Sequence, residues 1–331
     1  SAELIYPHDN RNVQINAGLR TAGQGGRGTR RRGPDWSQQT YKYDLRLYFR
    51  GSYGTERLEY LIYTNSPVAT FNQICIKSGF WDDCINPGLK DELFRRLMGD
   101  CGQLVSHGIH VNLFINGTYK SYYNLIERPN EEFFQDHYRT TNAWEVFKLA
   151  VAEGDTKAWN ALLNFIKSGT NSPLIDANYQ WVAQRLDLVN FIDYLLVSVY
   201  AHNSDWPANN WVSAREHTDG AVFRFYPWDS GCSFGYSGSV TNNTFALIYR
   251  HLSSSAPVSL FYAYLRQHPE FRLLFADRIQ KHFFHGGALT DMNVSNRYTE
   301  LRTPMEPIVT FVQSNYNNAK FNNNVQNDWI P

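Results

Sequence analysis

Two hydrophobic periods divide this chain near Arg128-Pro129, and that change of period constrains its fold more than any other feature. From Val13 to about Arg128 the alternation expected of strands dominates, as in Tyr41-Lys-Tyr-Asp-Leu-Arg-Leu-Tyr-Phe49 and Phe71-Asn-Gln-Ile-Cys-Ile-Lys77. Ile109 to Ile115 and Tyr119 to Ile126 flank Asn116-Gly117, a strong two-residue hairpin signal. One helix is expected within this part, from Leu89 to Met98, because Leu89, Leu93, Phe94 and Leu97 share a face; Gly99 is its expected stop. Beyond Arg128 the period becomes helical. Helices are expected near Glu131 to His137, Thr156 to Ser168, Trp181 to Tyr200, Leu260 to His268 and Phe271 to Phe284. The expectation is an α+β protein with a strand-rich first lobe (1–128), a mainly helical second lobe (129–331) and a hinge at Leu125 to Asn130. A chain of 331 residues with 43% hydrophobic content can build cores of that size. The Asn-rich tail from Ser314 is expected to wrap the surface or to be partly disordered.

Charge excludes some functions. Lys+Arg and Asp+Glu are both 31, so no bulk field favours nucleic acid or an anionic membrane. A local exception is Arg27, Arg30, Arg31 and Arg32 in a Gly-rich segment, which suits a phosphate-bearing ligand or an acidic protein and equally describes a solvated charge run. No membrane span is expected, since no run of 18 apolar residues occurs, and the N-terminus lacks a signal-peptide pattern. The cysteines Cys75, Cys84, Cys101 and Cys232 show no metal-binding spacing, although Cys75 and Cys84 are close enough in sequence to bridge. Scattered histidines, among them His107, His110, His282 and His285, are expected to be structural. Few lysines and many Tyr, Trp and Asn residues incline the reading toward an exported protein.

The chemistry concentrates after the longest expected helix. His202-Asn-Ser-Asp-Trp-Pro-Ala-Asn-Asn-Trp211 is followed by Tyr226-Pro-Trp-Asp-Ser-Gly231, so Asp205 precedes Asn210 by five positions and Asp229 comes later. Phosphoryl transfer uses such parts: a carboxylate that accepts the acceptor hydroxyl's proton, an amide oxygen on one metal ion, and a second carboxylate that holds metal against the phosphates. Asp205 is therefore the candidate base, with Asn210 and Asp229 as ligands of Mg²⁺ or Mn²⁺ and Asn209 as the neighbour of Asn210. Taken alone, Asp before Trp-Pro is also a common turn start. His202 is expected to pack or to hydrogen-bond. For the phosphates of ATP, Lys77 ends a strand and precedes the helix that carries Glu92, its expected partner. Gly25 and Gly26 in Gly23-Gln-Gly-Gly-Arg-Gly28 would let backbone N–H groups approach phosphate oxygens, although a surface loop is an equal reading. Glu127 is expected to reach a ribose or adenine, the alternative being an acid placed for the following helix dipole.

The chain resembles the spore coat protein CotH family of atypical, protein-kinase-like proteins. The resemblance rests on Ala17 to Gly23, Lys42 to Arg50, Asn116 to Pro129, Asp187 to Tyr194, Asn203 to Trp211, Arg224 to Asp229 and Phe271 to Thr290. It adds Lys42, in the family's basic stretch, as a second candidate for the phosphates. It implies a two-lobed kinase-like fold that transfers the γ-phosphate of ATP to Ser or Thr of protein substrates with a divalent metal, ATP lying in a cleft. It also implies a spore-coat, secreted or surface location. One departure stands out: family members often carry an acidic residue two positions after the motif Asp, where this chain has Gly231, read as a change in loop shape. The alternatives from other classes are a non-catalytic coat or adhesion protein and a protein nucleotidyltransferase on the same fold.

Overall fold

The computed structural model describes residues 1–8, 11–22, 44–79, 88–148, 151–235, 242–252 and 256–315. Lys42, Gly25, Gly26, Cys84 and the arginines at 27 and 30–32 lie outside the described residues. The fold is α+β with antiparallel sheets, and the chain divides into two compact units. One contains residues 1–89, 106–140 and 303–331, the other 90–105 and 141–302, so a single boundary at 128 does not describe them.

In the first unit, strands β1 (Ala2–Leu4) and β2 (Val13–Ile15) pair with each other. The central sheet contains β3 (Gly18–Ala22) and β4 (Asp44–Tyr48); beyond the small pair β5 (Leu58–Glu59) and β6 (Thr70–Phe71), it continues with β7 (Gln73–Lys77), β8 (Gly108–Ile115) and β9 (Thr118–Glu127). Its five strands run in the order β3-β4-β7-β9-β8. Asn116 and Gly117 close the β8–β9 hairpin with φ of 50° and 75°, both left-handed, as a tight primed turn needs. Alternation then sorts the side chains. Leu45, Leu47, Ile74, Ile76, Tyr123, Leu125, Ile109 and Val111 share one face and form the core of this unit. The opposite face carries Arg20, Asp44, Arg46, Tyr48, Lys77 and Asn124.

Helix α1 (Lys90–Asp100) belongs to the second unit. It runs through Gly99 instead of stopping there. Gly102, at φ 90°, ends it, with the Gln103 N–H bonded back to the Met98 carbonyl at 3.3 Å. Helix α2 (Glu131–Tyr138) is in the first unit, capped by the Asn130 side chain on the Phe133 N–H at 3.2 Å.

The second unit is less purely helical than its sequence suggests. Strands β10 (Trp144–Phe147), β11 (Val151–Glu153), β12 (Trp211–Glu216) and β13 (Arg224–Pro227) form a sheet in the order β11-β10-β12-β13. All four residues of β10 and the first four of β12 are buried. A strand covered on both faces shows no alternation, which hides it from a search for period two. Helices α3 (Lys157–Lys167), α4 (Asp176–Ala183) and α5 (Leu188–Tyr200) lie between β11 and β12 in sequence. The helix expected from Trp181 to Tyr200 is thus two helices. Arg185 and Asp187 exchange backbone bonds with Phe223 at 2.8 and 2.9 Å, drawing the chain out of helix, and the Asp187 side chain then caps α5 on the Asn190 N–H at 3.0 Å. Trp159 anchors the core, stacked on Phe147 at 4.9 Å and edge-on to Phe223 and Phe261 at 4.9 and 5.6 Å.

Helices α6 (Phe245–Arg250), α7 (Pro257–Leu265), α8 (Pro269–Phe283) and α9 (Asp291–Asn315) complete the described chain. The 25-residue α9 is absent from the sequence reading because Pro304 and Pro307 sit inside it. No helix among the described residues is long and apolar enough to cross a membrane.

A buried ion network joins α5 to α8. Asp193, wholly buried, accepts Arg278 Nε and Nη2 at 2.7 and 2.6 Å, His282 Nε2 at 3.0 Å and Gln103 Nε2 at 2.7 Å. Burial pushes its carboxyl pKa up, but hydrogen bonds from His282 and Arg278, with the guanidinium charge, prevail and hold it below the ordinary 3.8. A carboxylate with a depressed native pKa contributes stability that is complete above the unfolded value and is lost as pH falls through the native one. We predict that Asp193→Asn lowers stability at pH 7 by about 3 kcal/mol, since it strands a buried cation. The difference from wild type should shrink as pH falls below 3.8, read from urea midpoints across pH.

Candidate functional site

The loop that carries Asp205 is built by how α5 ends. His202 takes the left-handed conformation, φ 48°, and the Asn203 N–H bonds back to the Ser198 carbonyl at 3.1 Å, the geometry of a Schellman stop. His202 therefore terminates a helix through its backbone. Ser204 next bonds twice to the Cys232 carbonyl, through its N–H at 2.8 Å and its hydroxyl at 2.9 Å, and the Phe234 N–H donates to Ala201 O at 2.6 Å. These bonds strap the loop before Asp205 to the segment after Asp229. Trp206 is buried beneath it, its indole N–H on the Tyr194 hydroxyl at 3.0 Å.

Register brings the other two residues to the same place. Trp211 opposes Pro227 across the β12–β13 ladder, so Asn210 immediately before β12 and Asp229 just after β13 flank one end of that ladder. Both are left-handed, φ 58° and 57°, in a region that Asn and Asp tolerate better than other Cβ-bearing residues. Asn190 of α5 holds β13 itself, exchanging bonds with the Phe225 backbone at 2.6 and 3.1 Å.

The exposed Asp205 carboxylate accepts Asn209 Nδ2 on one oxygen at 3.1 Å and Asn210 Nδ2 on the other at 3.0 Å. An ionised carboxylate only accepts, so each amide must turn its nitrogen to it, and the Asn210 Oδ1 faces elsewhere. Asp205, Asn210 and Asp229 thus offer hard oxygen donors, a set that fits Mg²⁺ or Mn²⁺ and not a thiophilic metal.

Asp91 is a participant that sequence reasoning missed. Its Oδ1 accepts the Ser230 N–H at 2.7 Å and its Oδ2 pairs with Arg95, so α1 holds the turn beside Asp229. An acid in the first turn of a helix looks like ordinary dipole compensation, which is why nothing in the sequence marked it. Within α1, Glu92 pairs with Arg95 and with Arg96 Nε, the latter at 2.6 Å, its i+3 and i+4 neighbours. Burial would lower the Arg95 pKa; the carboxylates of Asp91 and Glu92 more than offset this and raise it.

In the first unit Lys77 lies on the polar sheet face, its Nζ 3.4 Å from Asp44 Oδ2, while Asp44 Oδ1 accepts the Ser78 N–H and hydroxyl at 2.7 Å each. Arg46, directly across from Cys75, shares that face, and Arg20, Arg46 and Arg50 lie 5.2 to 5.9 Å from the centre of the Tyr48 ring. Arg46 was legible in the sequence: in Asp44-Leu-Arg-Leu-Tyr48 it alternates with the apolar residues as Lys77 does on β7. Cys75 is a free, buried thiol. Glu127 is different. Its register with Ile74 puts it on the opposite sheet face from Lys77, and its oxygens lie against His107 Nδ1 at 2.8 Å and His137 Nε2 at 3.0 Å. The expected contact with ribose or adenine is therefore replaced by two imidazoles.

Fold and site together define an α+β protein in which the segments bearing Asp205, Asn210 and Asp229 meet at one end of a β-ladder. The family model CotH, described as CotH kinase protein, matches residues 30–328, and the chain belongs to that family. A comparison with curated proteins found no match.

We predict that Asp91→Ala loosens the Asp229 turn and lowers stability by about 2 kcal/mol, because it leaves a buried N–H unsatisfied and strips one carboxylate from Arg95. A lower urea midpoint at unchanged slope would show it.

Proposed function

We propose that this chain is an atypical, CotH-like protein kinase with a two-lobed kinase-like fold, which transfers the γ-phosphate of ATP to Ser or Thr hydroxyls of protein substrates. One observation supports the reading: Asn210 directly precedes β12 and Asp229 follows β13 at the Trp211–Pro227 end of their ladder, and Ser204, next to Asp205, is bonded to Cys232. Asp205 accepts the proton of the acceptor hydroxyl as that oxygen forms its bond to the γ-phosphorus and the bond to the bridging oxygen of ADP breaks. Its two amide donors fix the carboxylate's rotamer, so orientation is settled before substrate arrives. Asn210 Oδ1 and the Asp229 carboxylate would hold Mg²⁺ or Mn²⁺, whose chemistry when bound is to neutralise phosphate charge. Lys77 and Arg46, on the polar face of the first unit's sheet, are the cations we assign to the phosphates. The family's link to the spore coat supports a surface location.

The test is transfer of label from γ-labelled ATP to protein, with Mg²⁺ or Mn²⁺, autophosphorylation included. Asp205→Asn should slow transfer by about 10² to 10⁴-fold, the usual worth of a positioned base. Asp229→Ala should abolish it with the thermal midpoint retained. Arg46→Met should raise KM for ATP about tenfold, the worth of one such contact. Wild-type protein that transfers no label overturns the enzymatic reading. A mass increase of AMP instead of phosphate would make it a nucleotidyltransferase.

A binding measurement separates enzyme from coat or adhesion protein without a substrate. ATP with Mg²⁺ at about 100 times Kd should stabilise the wild type by about 2.7 kcal/mol, a gain lost in Asp229→Ala. A thermal midpoint indifferent to the nucleotide points to the non-catalytic protein.

A further inference from the structure

The first unit holds a second cluster of metal-binding side chains on the sheet face away from Lys77 and Arg46. Its members are His107, immediately before β8, Glu127 at the end of β9 and His137 in the last turn of α2. Their ligand atoms lie within 4.8 Å of one another. Glu127 and the His137 side chain are each 2% exposed and the His107 side chain 14%, so the carboxylate is nearly dry and the group opens through His107. The two imidazoles stack, 5.7 Å apart and 11° from parallel, and Phe133 packs on His137 at 4.4 Å. Burial pushes the Glu127 pKa up, yet hydrogen bonds from His107 and His137 hold it below its ordinary range, so the carboxylate is ionised.

We propose that His107, Glu127 and His137 form a site for a divalent transition metal of the zinc class. Two imidazole nitrogens and one carboxylate oxygen are a donor set of borderline softness, suited to Zn²⁺ or Co²⁺ and poorly suited to Mg²⁺. With metal–ligand distances of about 2.0 to 2.1 Å, a tetrahedral ion needs its ligand atoms about 3.3 Å apart. The present separations of 2.8 and 3.0 Å have only to open by a few tenths of an ångström. The exchange is balanced: each histidine binds the metal through the lone pair of the ring nitrogen that faces Glu127, any proton on that nitrogen moving to the other ring nitrogen or to solvent, with water as fourth ligand. The carboxylate is already oriented by a backbone bond, His107 N–H to Oε2 at 2.8 Å, the kind of outer support that metal ligands carry. Bound metal would join β8, β9 and α2 through side chains, independently of the kinase reading.

A second group, Glu145, Asp155 and His217, meets the same proximity criterion, but Arg215 already lies on both Glu145 oxygens at 2.9 and 3.3 Å. It serves as the control.

The test uses the full chain, stripped with chelator and desalted, titrated with Co²⁺ and with Zn²⁺ in competition against a chromophoric chelator. The expected result is one equivalent of Zn²⁺ at micromolar Kd or tighter, visible Co²⁺ ligand-field bands of a four- or five-coordinate site, and a raised thermal midpoint. His137→Gln and, separately, His107→Gln should each weaken binding at least tenfold, and His217→Gln should leave it unchanged. Absence of stoichiometric Zn²⁺ binding by the wild type overturns the proposal whatever the variants do. Binding that survives His137→Gln but falls in His217→Gln overturns it equally.

Discussion

Cross-strand register between Trp211 and Pro227 is the constraint on which the candidate centre depends. Asp205 and Asn210 are near neighbours in the chain and share a hydrogen bond, but Asp229 comes later, and it is the ladder fixing where β12 begins and β13 ends that brings its segment to theirs. A slip of one residue would exchange the two buried faces of β12, sending Trp211 to the side now filled by Val212, and would shift Asn210 relative to Asp229. The Asn190 side chain, which meets both backbone groups of Phe225, resists that slip by acting as a short substitute strand. Ser204 and Cys232 then fasten the outer loop to a position already decided by packing.

The first unit shows how one sheet serves two purposes through pleat alone. Every second residue of β4 and β7 builds an apolar core, and the residues between them form a surface rich in cations. Because alternation is strict, Glu127 and Lys77 face opposite ways although their strands are neighbours. That separation keeps a buried carboxylate with its two histidines apart from the face that carries Arg46 and Lys77.

Much of this was legible in sequence where a local signal is self-sufficient. Asn116-Gly117 made its hairpin, the acid-rich start of α2 made its helix, and the alternation of Asp44 to Tyr48 and Gln73 to Lys77 made the central strands. Signals failed where tertiary surroundings decide. Strands β10 and β12 are covered on both faces and so carry no period; the stretch ahead of α5 breaks because Phe223 captures its backbone. In α9, prolines that ordinarily end a helix lie inside it. For the centre itself, spacing singled out Asp205, Asn210 and Asp229 as candidates, and the fold gathers their segments at one ladder end, but the supports around them were silent. Asp91 is an ordinary first-turn acid until Ser230 meets it, and nothing in the spacing marked Arg95, which pairs with both Asp91 and Glu92.

The left-handed backbone at positions 210 and 229 has an evolutionary corollary. Side chains there are filtered twice, once by whatever they bind and once by a peptide conformation that admits glycine, asparagine and aspartate far more readily than anything branched at Cβ. A descendant freed of any binding demand there would consequently drift toward glycine at these two positions well before it accepted valine or isoleucine.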